Sequence, residues 1–183
     1  MDTLDITILH TINAGRPVMM DGFFRLVSDT TGWIAALVPL VMIVVGFVRK
    51  DRATNLVGYK VAAAYLLSVI VANSLKYIIA RPRPFVTYAF IQKLSSGGSG
   101  SFPSGHTSDA FALATALTLF VPTKRLWIPA FLWGLTVAYS RMDLGVHYPS
   151  DVLGGMIVGA GSAAVCWWWA KTKAPGMSLR GGL

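Results

Sequence analysis

Five apolar runs, each near the thickness of a bilayer, restrict what this chain can fold into. They cover Gly32–Val48, Leu56–Ile79, His106–Val121, Leu126–Tyr139 and Val152–Ala170. A helix needs about 20 predominantly apolar residues to cross the hydrocarbon core of a membrane. The first, second and fifth runs are long enough to span. The third and fourth are shorter, the length of a helix buried in a soluble protein. They read as spans because Ala110, Ala112, Ala114, Ala116, Gly134 and Ala138 recur within them, and small residues let membrane helices approach closely. Composition agrees, since only 13% of the 183 residues are charged against about 25% in a soluble domain. The expected fold is all-α: an integral membrane helical bundle of about five transmembrane helices, preceded by amphipathic interfacial helices.

The whole chain, 1–183, reads as one domain with three parts: an interfacial segment over 1–30, a transmembrane core over 31–171 and a cytoplasmic tail over 172–183. In the first part Leu4, Ile8, Leu9 and Ile12 share one helical face while Asp2, Asp5 and Asn13 lie off it. Val18–Val27 forms a second mixed segment, and both are expected to lie on the bilayer surface. The start lacks the basic flank and cleavage site of a signal peptide, so it is expected to be retained. A single cysteine, Cys166, excludes an intramolecular disulfide and a cysteine-based metal cluster.

The formal charge is +8, and all eight acids are Asp. Nucleic-acid-binding proteins carry their basic residues on a hydrophilic surface; here they fall between apolar runs, so no nucleic-acid partner is expected. Arg49, Lys50 and Arg52, then Lys124 and Arg125, then Lys171, Lys173 and Arg180 occupy every second inter-span position. The excess of Lys and Arg marks that side as cytoplasmic. Trp167, Trp168 and Trp169 stand before Lys171 as an interfacial belt at that end. The opposite side nevertheless carries Lys76, Arg81, Arg83, Lys93 and Arg141. Cations kept where they are normally depleted point to a negatively charged substrate on the outer face.

Three segments there carry chemistry. Lys76 is followed at a seven-residue offset by Arg83-Pro84; the prolines flanking Arg83 fix the backbone, and Arg presents a planar fork suited to phosphate beside the point charge of Lys. Pro103-Ser104-Gly105-His106 opens the third run, with Ser104 as a helix N-cap. Free N–H groups at a helix start bind phosphate, and His106 adds a group that exchanges protons near neutral pH. Ser140-Arg141 precedes His147 and Asp151. Four residues separate the last two, close enough for the carboxylate to orient the ring and free its other nitrogen as a nucleophile.

In order and spacing, Lys76-x6-Arg83-Pro84, Pro103-Ser104-Gly105-His106 and Ser140-Arg141-x5-His147-x3-Asp151 resemble the three-part signature of the type 2 phosphatidic acid phosphatase (PAP2) superfamily, over about two-fifths of the chain. The short chain with its amphipathic start is similar to the bacterial membrane-embedded branch. The resemblance implies a lipid phosphatase in the cell (inner) membrane, its site facing the periplasm. His147 would attack phosphorus, Asp151 would orient it, and His106 would protonate the leaving oxygen and then activate water. Lys76, Arg83, Ser104, Gly105 and Arg141 would hold the phosphoryl oxygens. No metal and no cofactor are expected: Asp143 and Asp151 are the only acids in the outer segments after Lys76, too few for a Mg²⁺ cage. Arg81 and Lys93 lie outside the signature and are candidates for a second phosphate or a lipid headgroup. The expected substrate is a lipid phosphate or pyrophosphate, undecaprenyl pyrophosphate first. Phosphatidylglycerophosphate, lipid A, and phosphotransfer through the same phosphohistidine stay open. Ser95–Ser101 is either a flexible linker or a lid at the lipid entry.

Overall fold

Each apolar run becomes a helix, because a backbone surrounded by lipid must satisfy its own hydrogen bonds. The computed structural model describes residues 2–173; the end of the expected tail, with Arg180, lies outside them. In chain order the helices are α1 (Asp2–Ala14), α2 (Asp21–Val48), α3 (Arg52–Ile79), a single turn α4 (Pro84–Thr87), α5 (Gly105–Phe120), α6 (Trp127–Asp143) and α7 (Pro149–Lys173). No strand occurs among the described residues. Three stretches are long and apolar enough to cross a membrane: Val18–Val48, Arg52–Thr87 and Pro149–Lys173. The remaining long helices, α5 and α6, have 16 and 17 residues.

Helix α5 occupies the centre, packed against α2, α3, α6 and α7. Its closest partner is α7, and two glycines explain the approach. A methyl group on Gly155 would lie 2.6 Å from the Ser104 carbonyl oxygen, and one on Gly159 2.3 Å from that of Ser108. Spaced one turn apart, these glycines let the two backbones touch. Ser68 of α3 shares a buried hydroxyl–hydroxyl bond of 2.6 Å with Ser108 of α5. Together these contacts bring the C-terminal end of α3 and the N-terminal ends of α5 and α7 to one end of the bundle. The turn after α2, the turn after α5 and the end of α7 fall at the other end, with Arg49, Lys50, Arg125, Lys171 and Lys173.

Two features of the N-terminal part differ from expectation. Val18–Val27 is not a separate surface helix: Val18–Met20 is a 3₁₀ turn that leads directly into the 28-residue α2. The polar stretch at Ser28–Thr31 conceals this continuity in the sequence. In the structure the Thr30 and Thr31 hydroxyls donate to the carbonyls of Leu26 and Val27, at 2.7 and 2.8 Å, so the helix absorbs them internally. The second difference concerns α1. Asp5 and Asn13, placed off the apolar face by the sequence, are buried against the protein with Leu9, while Leu4 and Ile8 are exposed. Asn13 donates to the carbonyls of Gln92 and Asp143 and accepts from the Gln92 amide, which fixes the C-terminal end of α1. Leu9 packs with Ile91 and Tyr148.

Candidate active site

The turn between α6 and α7 places His147 at the end of the bundle where α3 finishes and α5 and α7 begin, 1% exposed. Its amide and that of Val146 both donate to the Arg141 carbonyl, folding the turn back onto α6. Asp151 sits in the first turn of α7 and is fully buried. One carboxylate oxygen, Oδ2, lies 3.4 Å from His147 Nδ1 and accepts from the Tyr148 amide at 2.9 Å. An ionised carboxylate can only accept, so this pairing favours the tautomer with the proton on Nδ1 and the lone pair on Nε2. Nε2 faces the Arg83 guanidinium, with Nη1 at 3.4 Å. A contact that long is weak, and a phosphoryl oxygen arriving at Arg83 would displace it.

Burial pushes the His147 ring down to about 3, against the opposing pull of its bond to Asp151; the charges of Arg141 and Arg83 lower it further. At neutral pH the imidazole is therefore uncharged, the form with a nucleophilic lone pair. This depression has a thermodynamic consequence. An unfolded His takes up a proton near pH 6.5, whereas His147 in the folded protein resists until about pH 3. The resulting stability is fully present above about pH 6.5 and is lost progressively as the pH falls toward 3. Denaturation in detergent should show this: between pH 6.5 and 4 the parent protein loses stability more steeply than a His147→Gln variant. Parallel curves would contradict the assignment.

Around Nε2 the cations come from three elements. Lys76, on the last turn of α3, donates to the Gly100 carbonyl at 3.0 Å. Arg83 is 8% exposed and donates from Nε to the Ser99 carbonyl at 2.9 Å and from Nη1 to that of Val146 at 3.2 Å. Arg141, 1% exposed, bonds Ser28 of α2 through Nη1, while its Nε has no partner. The Ser/Gly stretch is thus neither a free linker nor a detached flap. Its carbonyls occupy two of these cations, and a methyl group on Gly97 would come within 2.5 Å of Arg83 Nη1.

Helix α5 contributes its start. Ser104 is the N-cap by position, yet its hydroxyl pairs with Thr107 Oγ1 at 2.9 Å and caps no backbone amide. Its own amide donates to the Asp151 carbonyl at 2.9 Å, locking α5 to α7. The first-turn amides, Gly105's among them, are left without a side-chain cap, which is the arrangement an anion uses. His106 lies half-buried in the same turn, within electrostatic reach of His147, Arg141, Lys76 and Arg83.

The eight candidate site residues within the signature therefore lie together, and of the two candidates outside it Arg81 reaches this group through Asp151 while Lys93 does not. Arg81 is no spare cation: one end of its fork bonds Asp151 Oδ1 at 2.8 Å and the other Asp5 Oδ2 at 2.9 Å, and its face lies 3.9 Å from the Tyr148 ring centroid. Lys93 lies over the Phe85 ring and lines a separate open cavity of about 470 Å³ with Arg25, Asp29, Leu94, Ser95 and Ser96. Sequence reasoning missed Asp5, Ser28 and Ser150 altogether. Only Asp5 left a signal, as one of three residues (Asp5, Leu9, Asn13) repeating every four along α1.

Comparison with known proteins adds the following. The model of the PAP2 superfamily matches residues 58–175. Escherichia coli YbjG is 31% identical over 91% of this chain and 84% of its own length. The undecaprenyl-diphosphatase of Sulfolobus acidocaldarius is 30% identical over 85% of this chain and 73% of its own. The crystal structure of Aquifex aeolicus LpxE superposes with a TM-score of 0.75 at 27% identity, covering 89% of this chain and 94% of that one.

Proposed function

Since this chain belongs to the PAP2 superfamily, we propose that it is a membrane lipid phosphatase working through a phosphohistidine on His147. One observation carries the reading: His147 Nε2 faces the donor-only Arg83 guanidinium at 3.4 Å, while Nδ1 lies at the same distance from Asp151 Oδ2. A phosphate monoester or diphosphate entering there meets Lys76, Arg83, Arg141 and the Gly105 amide as donors to its non-bridging oxygens. In-line attack by Nε2 forms the N–P bond as the bond to the leaving oxygen breaks. His106 delivers the proton to that oxygen, then takes one from the water that releases phosphate. Positioned cations stabilise the charge on the transferring group.

Helices α5 and α6 complete five spans in this reading. With the basic end of the bundle in the cytoplasm, the site faces the periplasm from the inner membrane. The preferred substrate is undecaprenyl pyrophosphate, and what supports this choice is a second cluster of cations near the first in the chain. The cavity of about 470 Å³ bearing Arg25 and Lys93 is lined by immediate chain neighbours of two residues that contact the cradle. Asp29 follows Ser28, which holds Arg141, and Ser96 precedes Gly97, which overlies Arg83. Phosphate release is to be measured in detergent, with and without EDTA, from undecaprenyl pyrophosphate, phosphatidylglycerophosphate and lipid A. Undecaprenyl pyrophosphate should be fastest, EDTA should change nothing, and an Arg25→Gln/Lys93→Gln protein should lose about tenfold on the diphosphate alone. A diphosphate that proves the slowest of the three rejects this choice of substrate.

A further inference from the structure

We propose that Asp5, on the N-terminal helix, is a positioning residue for the reaction, acting through Arg81 to hold Asp151 in line with His147. The inference rests on the role proposed above for His147. Asp5 lies 146 residues from Asp151 in sequence but is linked to it by one guanidinium. It is 8% exposed. Its Oδ2 accepts from Arg81 Nη2 at 2.9 Å, its Oδ1 accepts from the Ser150 amide at 2.9 Å, and Oδ2 also takes the Ser150 hydroxyl. Arg81 Nη1 in turn donates to Asp151 Oδ1 at 2.8 Å and to Ser150 Oγ at 2.7 Å.

The geometry assigns a separate task to each contact. Stacking on Tyr148, 3.9 Å away, sets the plane of the guanidinium. Stacking alone leaves it free to turn within that plane, and Asp5 at Nη2 removes that freedom. With both ends of the fork fixed, Asp151 Oδ1 has a charged donor in a defined place. Oδ2 is then left to the Tyr148 amide and His147 Nδ1. The 3.4 Å separation at His147 is loose enough that a small rotation of the carboxylate breaks it. When it breaks, only the weak contact with Arg83 still favours the proton on Nδ1, and Nε2 loses its lone pair part of the time. The charges alternate along the row (Asp5, Arg81, Asp151), so each member also lowers the cost of burying its neighbour. Partners behind a reacting group commonly matter by 10- to 100-fold.

The experiment is Asp5→Asn. It keeps the size and the acceptor for the Ser150 amide but replaces the anion that grips Arg81. Two readouts are taken on the full chain in detergent: phosphate release, and the ¹⁵N resonances of the His147 ring. The parent should show one tautomer, protonated at Nδ1. Asp5→Asn should show a mixture, with kcat lower by about tenfold and KM unchanged. Asn13→Ala, which loosens the other end of α1 without touching Arg81, should keep the single tautomer and kcat within about twofold. A single Nδ1-protonated tautomer in Asp5→Asn overturns the proposal. So does an Asn13→Ala protein as impaired as Asp5→Asn, since docking of α1, not the carboxylate, would then be the cause. If no lipid is hydrolysed even by the parent, the lipid-phosphatase reading fails while the tautomer comparison still decides the role of Asp5.

Discussion

A His147→Ala protein is expected to fold and to release phosphate at least about 10⁴-fold more slowly than the parent, the scale seen when a covalent nucleophile is removed. The ring is the only group that both presents a lone pair to the phosphate cradle and is oriented by Asp151. Its loss does not strand its neighbour. Asp151 keeps the Tyr148 amide on Oδ2 and Arg81 on Oδ1, so no buried charge is left without a donor. Brief incubation with ³²P-labelled lipid should trap a base-stable, acid-labile label on the parent and none on the variant. Turnover within tenfold of the parent would move the nucleophile elsewhere.

The second large effect separates activity from stability. Arg141→Met should cut phosphate release by about 10²–10³-fold and at the same time raise the melting temperature. Arg141 is among the largest fully buried side chains, its Nη1 bonds the Ser28 hydroxyl, and its Nε has no partner. A guanidinium in that state is held ready for a dianion, and until the dianion binds it costs stability. Met fills similar volume without the charge, and such replacements stabilise by about 1–4 kcal/mol where the buried charge is poorly compensated. The parent, but not the variant, should gain stability on adding phosphate or vanadate. A variant that melts lower than the parent would show that Asp29 already balances Arg141 in the resting protein.

What the sequence could disclose follows from the range of each interaction. The signature residues were readable because each cluster is local: Ser104 to His106 in one helical turn, His147 and Asp151 four residues apart, Lys76 and Arg83 across a proline-fixed bend. The three long spans were readable because hydropathy is summed along the chain. The start of α2 was not, since the threonines that break the apolar pattern satisfy themselves on the carbonyls one turn earlier. The role of Arg81 was not readable either. Its partners lie far apart in the chain, and the four-residue repeat that turns Asp5 inward on α1 does not reveal that it meets Ser150. The inward face of α1 was misjudged for a related reason. Periodicity locates an apolar stripe, but the neighbours decide whether that stripe meets lipid or protein. Here Leu4 and Ile8 are left outside, and Asp5 and Asn13 find donors and acceptors within.

The bond between α1 and the start of α7 has a consequence for biosynthesis. Asp5 precedes α2 in the chain, and Ser150 is made only after α2 to α6. Lys76 and Arg83 are in place well before then, but Arg141, His147 and Asp151 are made in one short segment, so the cradle and the carboxylate row behind the histidine are completed almost together. A nascent chain therefore carries the carboxylate of α1 for most of its synthesis without its partner on α7, and competence arrives in one step when α1 meets the start of α7.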